Sequence, residues 1–252
     1  MVRNLLIRGM LTGVLAGALA WVFAWVFGEP QIRDAIAFEE HGHEAGAAGD
    51  HPEEEVVGRG VQSTIGMLTG IGVYGIAIGG LFALVFAFAY GRIGPFRPRA
   101  TAGLLALLGF AAVIVVPLLK YPANPPAVGD ADTIGRRTAL YFGMLALSVL
   151  FAAAAVILAR RLTDRLGAWN AVPLAVAGFL VAVGITMRAM PTVNEVPAAF
   201  SATVLWRFRV ASLGVHAIIW TTFGLVFGLF AERVLRPAAD PRPEPRVPAA
   251  AG

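Results

Sequence analysis

The chain has 252 residues, of which 58% are hydrophobic and 14% charged, and its mean hydropathy is +0.72. Soluble domains are about 45–50% apolar and about 25% charged, so this composition excludes an ordinary soluble domain and a disordered chain. The net charge of +4 is too small for a nucleic-acid partner, and the absence of cysteine excludes disulfides, thiolate metal sites, covalent haem attachment and cysteine nucleophiles.

A bilayer core of about 30 Å takes about 20 apolar helical residues. Six segments meet or approach that length: Leu5–Phe27, Gly66–Tyr90, Ala102–Leu119, Thr138–Ala159, Ala171–Met187 and Val210–Ala231. Helices satisfy their own backbone hydrogen bonds in lipid, and no period-2 alternation points to a membrane β-barrel. The expected fold is therefore all-α, a polytopic transmembrane helix bundle of six spans. Five spans are the alternative, because the fifth segment contains Pro173 and ends near Arg188. The first run has the Arg3, Arg8 and Ala18-Leu19-Ala20 features of a secretory signal, but Trp21–Phe27 extend it beyond an h-region. It reads as a helix. Residues 1–235 form the expected transmembrane domain, with 28–60 as an outer loop. Residues 236–252, with Pro237, Pro241, Pro243, Pro245 and Pro248, read as a disordered cytoplasmic tail.

Arginine placement suggests an orientation. With the N-terminus inside, the inner segments hold Arg3, Arg8, Arg92, Arg97, Arg99, Arg160, Arg161, Arg165, Arg233, Arg236, Arg242 and Arg246. The outer segments hold fewer basic residues and most of the acids, so both termini are expected in the cytoplasm. Glycines recur every fourth residue at Gly9/Gly13/Gly17, Gly66/Gly70, Gly75/Gly79 and Gly224/Gly228. Small residues at this spacing let membrane helices approach closely. Related text before the second, fourth and sixth spans suggests three repeated helical hairpins; the alternative is that Pro and Arg simply mark helix ends.

The loop Gly28–Gly60 contains nine of the 16 acids and three of the four histidines. Imidazole suits transition metals, and carboxylates add charge without strict geometry. His41, His43 and His51 with Glu40, Glu44 and Asp50 are the candidate metal ligands. A solvated acidic linker is the alternative. Glu29, Asn124, Asn194 and Glu195 follow odd-numbered spans on the outer side and are candidates for the transport path, or else pair with Arg59, Arg136 or Arg207. His216, inside the last span, is a further candidate, although a lone membrane histidine more often packs than ligates. The single lysine, Lys120, follows Leu119, so no Walker A motif exists, and neither Gly-x-Ser-x-Gly nor His-Glu-x-x-His occurs. No enzyme is expected, and no tightly bound cofactor.

Gly28-Glu29-Pro30 before the acidic histidine loop, Lys120-Tyr-Pro-Ala-Asn-Pro-Pro-Ala-Val-Gly129, Val193-Asn-Glu-Val-Pro197 and Leu205-Trp-Arg-Phe-Arg209 resemble the CbtA family of bacterial cobalt transporter subunits. The resemblance runs from about Val2 to Leu235. It implies a protein of the bacterial inner membrane, surrounded by lipid, that moves a divalent metal, Co2+, in connection with cobalamin biosynthesis. It also implies a small single-span, His-rich partner of the CbtB type, and a usual description of five spans. A non-transporting scaffold that binds metal or a partner is the alternative.

Overall fold

The computed structural model describes residues 1–46 and 58–235. All regular structure within them is helical. Five helices are long and apolar enough to cross a membrane, and the fourth, Ala131–Ala189, contains a break at Gly167 (φ 73°, ψ 157°). A continuous helix would place Gly143 and Met190 about 70 Å apart at 1.5 Å per residue. Instead, the Met190 methyl lies 3.8 Å from where a Cβ on Gly143 would stand. The helix therefore folds back, and the chain makes six crossings. Glycine suits the break because φ > 0 would force any other side chain against its own backbone.

The crossings are α1 (residues 2–46), α2 (59–89), α3 (98–120), α4 (134–166), α5 (168–189) and α6 (202–235). The start of α1 and the end of α6 fall at one end, called the terminus end, where Arg8 Nη1 donates to the Phe230 carbonyl (3.0 Å) and Arg99 pairs with Glu232. Segments 121–133 and 190–201 form the opposite, loop end.

The first helix does not stop at Phe27 as the hydropathy suggests. It runs on to Gly46, so the first half of the expected outer loop is a polar helical extension. Pro30 removes a donor and crowds the carbonyl four residues earlier. Just before it, Ala24–Gly28 widens into a π-turn in which the Glu29 N–H reaches back to Ala24 O. The same device precedes Pro117: Phe110–Val115 is a π-turn, and the Val116 N–H bonds Ala111 O. Each helix thus absorbs its proline by local widening rather than ending there. Residues 47–57 and 236–252 lie outside the described residues.

The α1–α2 seam is glycine on glycine. A Cβ on Gly9 or Gly13 would overlap the carbonyl of Gly79 or Gly75, and a Cβ on Gly75 would stand 2.5 Å from Gly13 O. Gly224 and Gly228 likewise face Ala106 and Ala102 of α3, whereas Gly70 faces open space. Between α2, α3 and α6 lies an aromatic core at the terminus end. Phe82 stacks on Phe223 (5.3 Å) and meets Phe227 and Trp220 edge-on, while Phe86 meets Phe227 (5.1 Å). Gly109 makes room for the Trp220 ring. The α4–α5 hairpin leans on α3 through Val116, Tyr121, Met144 and Val183, leaving Phe142, Leu150, Leu180 and Ile185 exposed on its outer face. The first two expected hairpins pack as pairs, α1 with α2 and α3 with α4. The α5 helix instead shares the α4 cluster.

Two measurements check this architecture. Gly13→Ala is expected to cost about 1–3 kcal/mol, since overpacking strains a tight seam. Gly70→Ala, facing open space, should leave the thermal transition of the purified protein unchanged. Because the chain has no cysteine, single-cysteine labelling is clean. Trp169→Cys should react with a membrane-impermeant maleimide from the side of the termini, and Ala198→Cys from the opposite side. Labelling of both from one side contradicts six crossings.

Candidate functional site

At the loop end, two segments and two helix starts enclose a cavity of about 460 Å³. Its polar lining comprises Asn124 from one segment, Asn194 and Glu195 from the other, Arg137, Thr138 and Tyr141 from α4, and Arg209 from α6. Three of the path candidates named from sequence, Asn124, Asn194 and Glu195, therefore meet here. Glu29 and His216 do not line it.

Glu195 clips the two segments together. Its Oε2 accepts from the Asp130 amide (2.9 Å), its Oε1 accepts from the Thr133 hydroxyl (2.8 Å), and Arg137 Nε lies 3.3 Å away. The Asp130 amide chiefly, then Thr133, and more weakly Arg137 and Arg136, hold its carboxyl below the usual carboxylate range. The arginine partner is Arg137, not the Arg59, Arg136 or Arg207 considered from sequence. Arg137 also donates to the Asp130 carbonyl (2.9 Å). Its guanidinium lies in the space a Cβ on Gly129 would need, and the backbone there has φ +127°, a conformation that favours glycine.

Asn124 is likewise committed. Arg209 Nη2 donates to its Oδ1 (2.9 Å) and Arg209 Nε donates to Ala123 O (3.2 Å). Tyr121 donates to the Pro191 carbonyl (2.8 Å), tying the segments again. The extension of α1 braces this cap: Ala35 is fully buried with Val128 and Phe200, and Phe38 meets Phe200 edge-on at 5.1 Å. Arg137, Arg209, Tyr121 and Tyr141 were not singled out as site residues from sequence. Arg209 closes the Leu205–Arg209 motif, but no periodicity there indicates that it turns toward Asn124.

The acidic segment is described only in part. His41 is exposed on the α1 extension, with Nδ1 2.5 Å from Ala37 O. A His ring nitrogen held by a backbone carbonyl leaves the other as a lone pair, the usual arrangement of an oriented metal ligand. Glu40 beside it is also exposed. The side chains of His43 and Glu44, and all of Asp50 and His51, lie outside the described residues. Among the described residues, no three His, Asp or Glu side chains gather as a metal cluster. Glu29 is buried, 5% exposed, where α1 passes the π-turn.

Deeper, on α6, His216 meets Tyr74 of α2 edge-on at 5.9 Å. Its Nδ1 is buried without a hydrogen-bond partner among the described residues. Seven residues separate it from Arg209, two helical turns or about 10 Å. Below it on α6 come Trp220 and Phe223, which belong to the aromatic core. A second, almost wholly apolar cavity of about 200 Å³ lies beside the first π-turn, between Ala24, Gly28, Met67, Phe208 and Val215.

Six apolar helical segments, with a polar cavity at one end of the bundle, make this a polytopic integral membrane protein. The chain belongs to the CbtA family, described as a probable cobalt transporter subunit, whose match covers residues 2–232. This is a family of transporter subunits rather than of enzymes, and its described cargo is cobalt. No curated protein and no solved structure matches the chain.

The Glu195 clip has a pH signature. A carboxyl more acidic in the folded than in the unfolded chain contributes its full stability above the ordinary carboxylate range. That contribution is lost as the pH falls through the folded value. Acidification from pH 6 to about 3.5 should therefore lower the thermal transition of the wild type more than that of Glu195→Gln. Equal acid sensitivity in the two proteins would show that the clip does not hold the loop end.

Proposed function

We propose that this protein is the membrane subunit through which a divalent transition metal, cobalt, enters the cell for cobalamin biosynthesis, working with a small single-span, His-rich partner of the CbtB type. The observation that carries this reading is the family match over residues 2–232. The placement of His216 supports it. A buried imidazole nitrogen with no hydrogen-bond partner among the described residues, at about the middle of α6 and above an aromatic closure, is the kind of group that marks an ion pathway in a membrane protein.

In this reading the bilayer is the bacterial inner membrane, the arginine-rich terminus end faces the cytoplasm and the loop end faces out. The acidic segment collects cations at the outer surface, since a patch of one sign concentrates its counter-ions. His41, with Nε2 directed away from Ala37, makes the first contact, joined by Glu40, His43, Glu44, Asp50 and His51. The metal then passes Glu29 and the loop-end cap toward His216, where the aromatic core of Phe82, Trp220 and Phe223 bars the way until the helices shift. Glu195 and Asn124 act as ties that shape the cap, because their oxygens are already occupied by Thr133, Asp130 and Arg209. Asn194 stands at the cavity wall without such a tie.

Labelled-cobalt uptake into vesicles holding the chain, with and without the small partner, tests the reading. His41→Ala/His43→Ala/His51→Ala should reduce uptake severalfold at low metal and leave it unchanged at saturating metal. His216→Ala should lower the maximal rate at least tenfold at every concentration. Cobalt binding without flux, in the presence of the partner, would make the protein a scaffold instead.

A further inference from the structure

The loop-end cavity has the wrong charge for a bare cation. Two guanidiniums, Arg137 and Arg209, line it against one carboxylate, Glu195, whose oxygens are already held by an amide, a hydroxyl and Arg137. Two more cations stand at its edge: Lys120 over the Tyr121 ring (5.9 Å), and Arg136 within electrostatic reach of Glu195 and Tyr121. Asp130 and Asp132 lie nearby but do not line the cavity, and Asp130 Oδ1 is turned onto the Asp132 amide (2.9 Å). Arg209 is half-buried, and among the described residues no carboxylate lies within 4 Å of it. A guanidinium offers five N–H donors. Arg209 commits two, to Ala123 O and Asn124 Oδ1, leaving three for a ligand. The Tyr141 hydroxyl and the Asn194 amide share the same wall.

Size admits either ligand: six water molecules occupy about 180 Å³ at about 30 Å³ each, and a small polycarboxylate takes a similar volume, so both fit a 460 Å³ cavity. Charge decides between them, because the planar fork of an arginine takes a carboxylate through two parallel charge-assisted hydrogen bonds.

We propose that this cavity binds a small polycarboxylate, either free or as the chelating shell of a divalent metal. Only the metal-bearing form rests on the transport reading; recognition of the carboxylates stands on the cavity alone. A chelate also removes the electrostatic objection, because its outer surface is anionic while the metal is enclosed.

Calorimetric titration of the full-length protein in lipid nanodiscs tests this with three probes: sodium citrate, cobalt chloride and cobalt citrate. Citrate or cobalt citrate is expected to bind, and Arg209→Gln to weaken that binding at least tenfold. Tighter binding of cobalt citrate than of citrate identifies the chelate as the ligand, and the reverse order identifies the free carboxylate. Should Arg209→Gln unfold the loop end, Asn194→Asp carries the test. That residue is exposed and makes no hydrogen bond among the described residues, and an added carboxylate there should weaken citrate binding at least threefold. Failure of the wild type to bind either citrate form overturns the proposal, as does an affinity unaffected by both substitutions. Binding without any cobalt uptake would leave this site standing and remove the transport reading instead.

Discussion

The close approach of α1 and α2 is the constraint on which the rest of the bundle depends. In lipid no hydrophobic force draws apolar helices together, so association rests on van der Waals contact at short range. Gly9, Gly13 and Gly17 bring the α1 backbone against Gly79, Gly75 and Gly72 without intervening side chains. The paired helices then present Leu5, Phe82 and Phe86 as one surface, which α6 covers with Ile219, Phe223 and Phe227. The α3 helix joins through Ala102 and Ala106, where Gly224 and Gly228 permit a second close seam. The α4–α5 hairpin packs chiefly against α3 and leaves most of its surface exposed.

Two prolines, Pro30 and Pro117, sit within continuous helices. A π-turn at Ala24–Gly28 and another at Phe110–Val115 move the hydrogen bond of the preceding residue back by one position, opening room for the ring. The consequence at Pro30 is functional as well as local. It lets α1 stand beyond the apolar zone as a pillar, on which Val128 and Phe200 rest. Without that pillar, the segments carrying Asn124 and Glu195 would lose the apolar support of Ala35 and Phe38 and keep their ties to α4 and α6.

Along the axis the interior has three zones. The loop end is a polar cavity held by Glu195, Arg137 and Arg209. The middle holds the His216–Tyr74 contact in apolar surroundings. The terminus end is closed by stacked and edge-on rings. Such a gradient, open and hydrogen-bonded at one end and dry at the other, suits a protein that admits a polar cargo from one side and releases it only when helices move. In the proposed reading the acidic segment and the positive cavity are complementary: the segment concentrates metal ions, and the cavity selects anionic carriers.

Much of the fold was legible in the sequence because a bilayer imposes a length and a composition that few other environments require. Six apolar runs, the absence of period-2 alternation, and the glycine spacing of the first two spans each follow from a local rule, and each was expected from sequence. The convergence of Asn124, Asn194 and Glu195 was legible more faintly, from their common position after odd-numbered spans. Tertiary structure decided what those residues do. Glu195 and Asn124 read as candidates for the transport path by residue type and position, yet their oxygens belong to Asp130, Thr133 and Arg209, partners up to 85 residues away that no spacing rule connects. It also decided where α1 ends and where α4 turns, because a π-turn before a proline and a left-handed glycine are settled by backbone geometry rather than by hydropathy. Composition and periodicity sum over neighbours in the chain, and so determine what lies in the membrane. The charge of a cavity depends on which distant side chains face it, and only the folded bundle sets that.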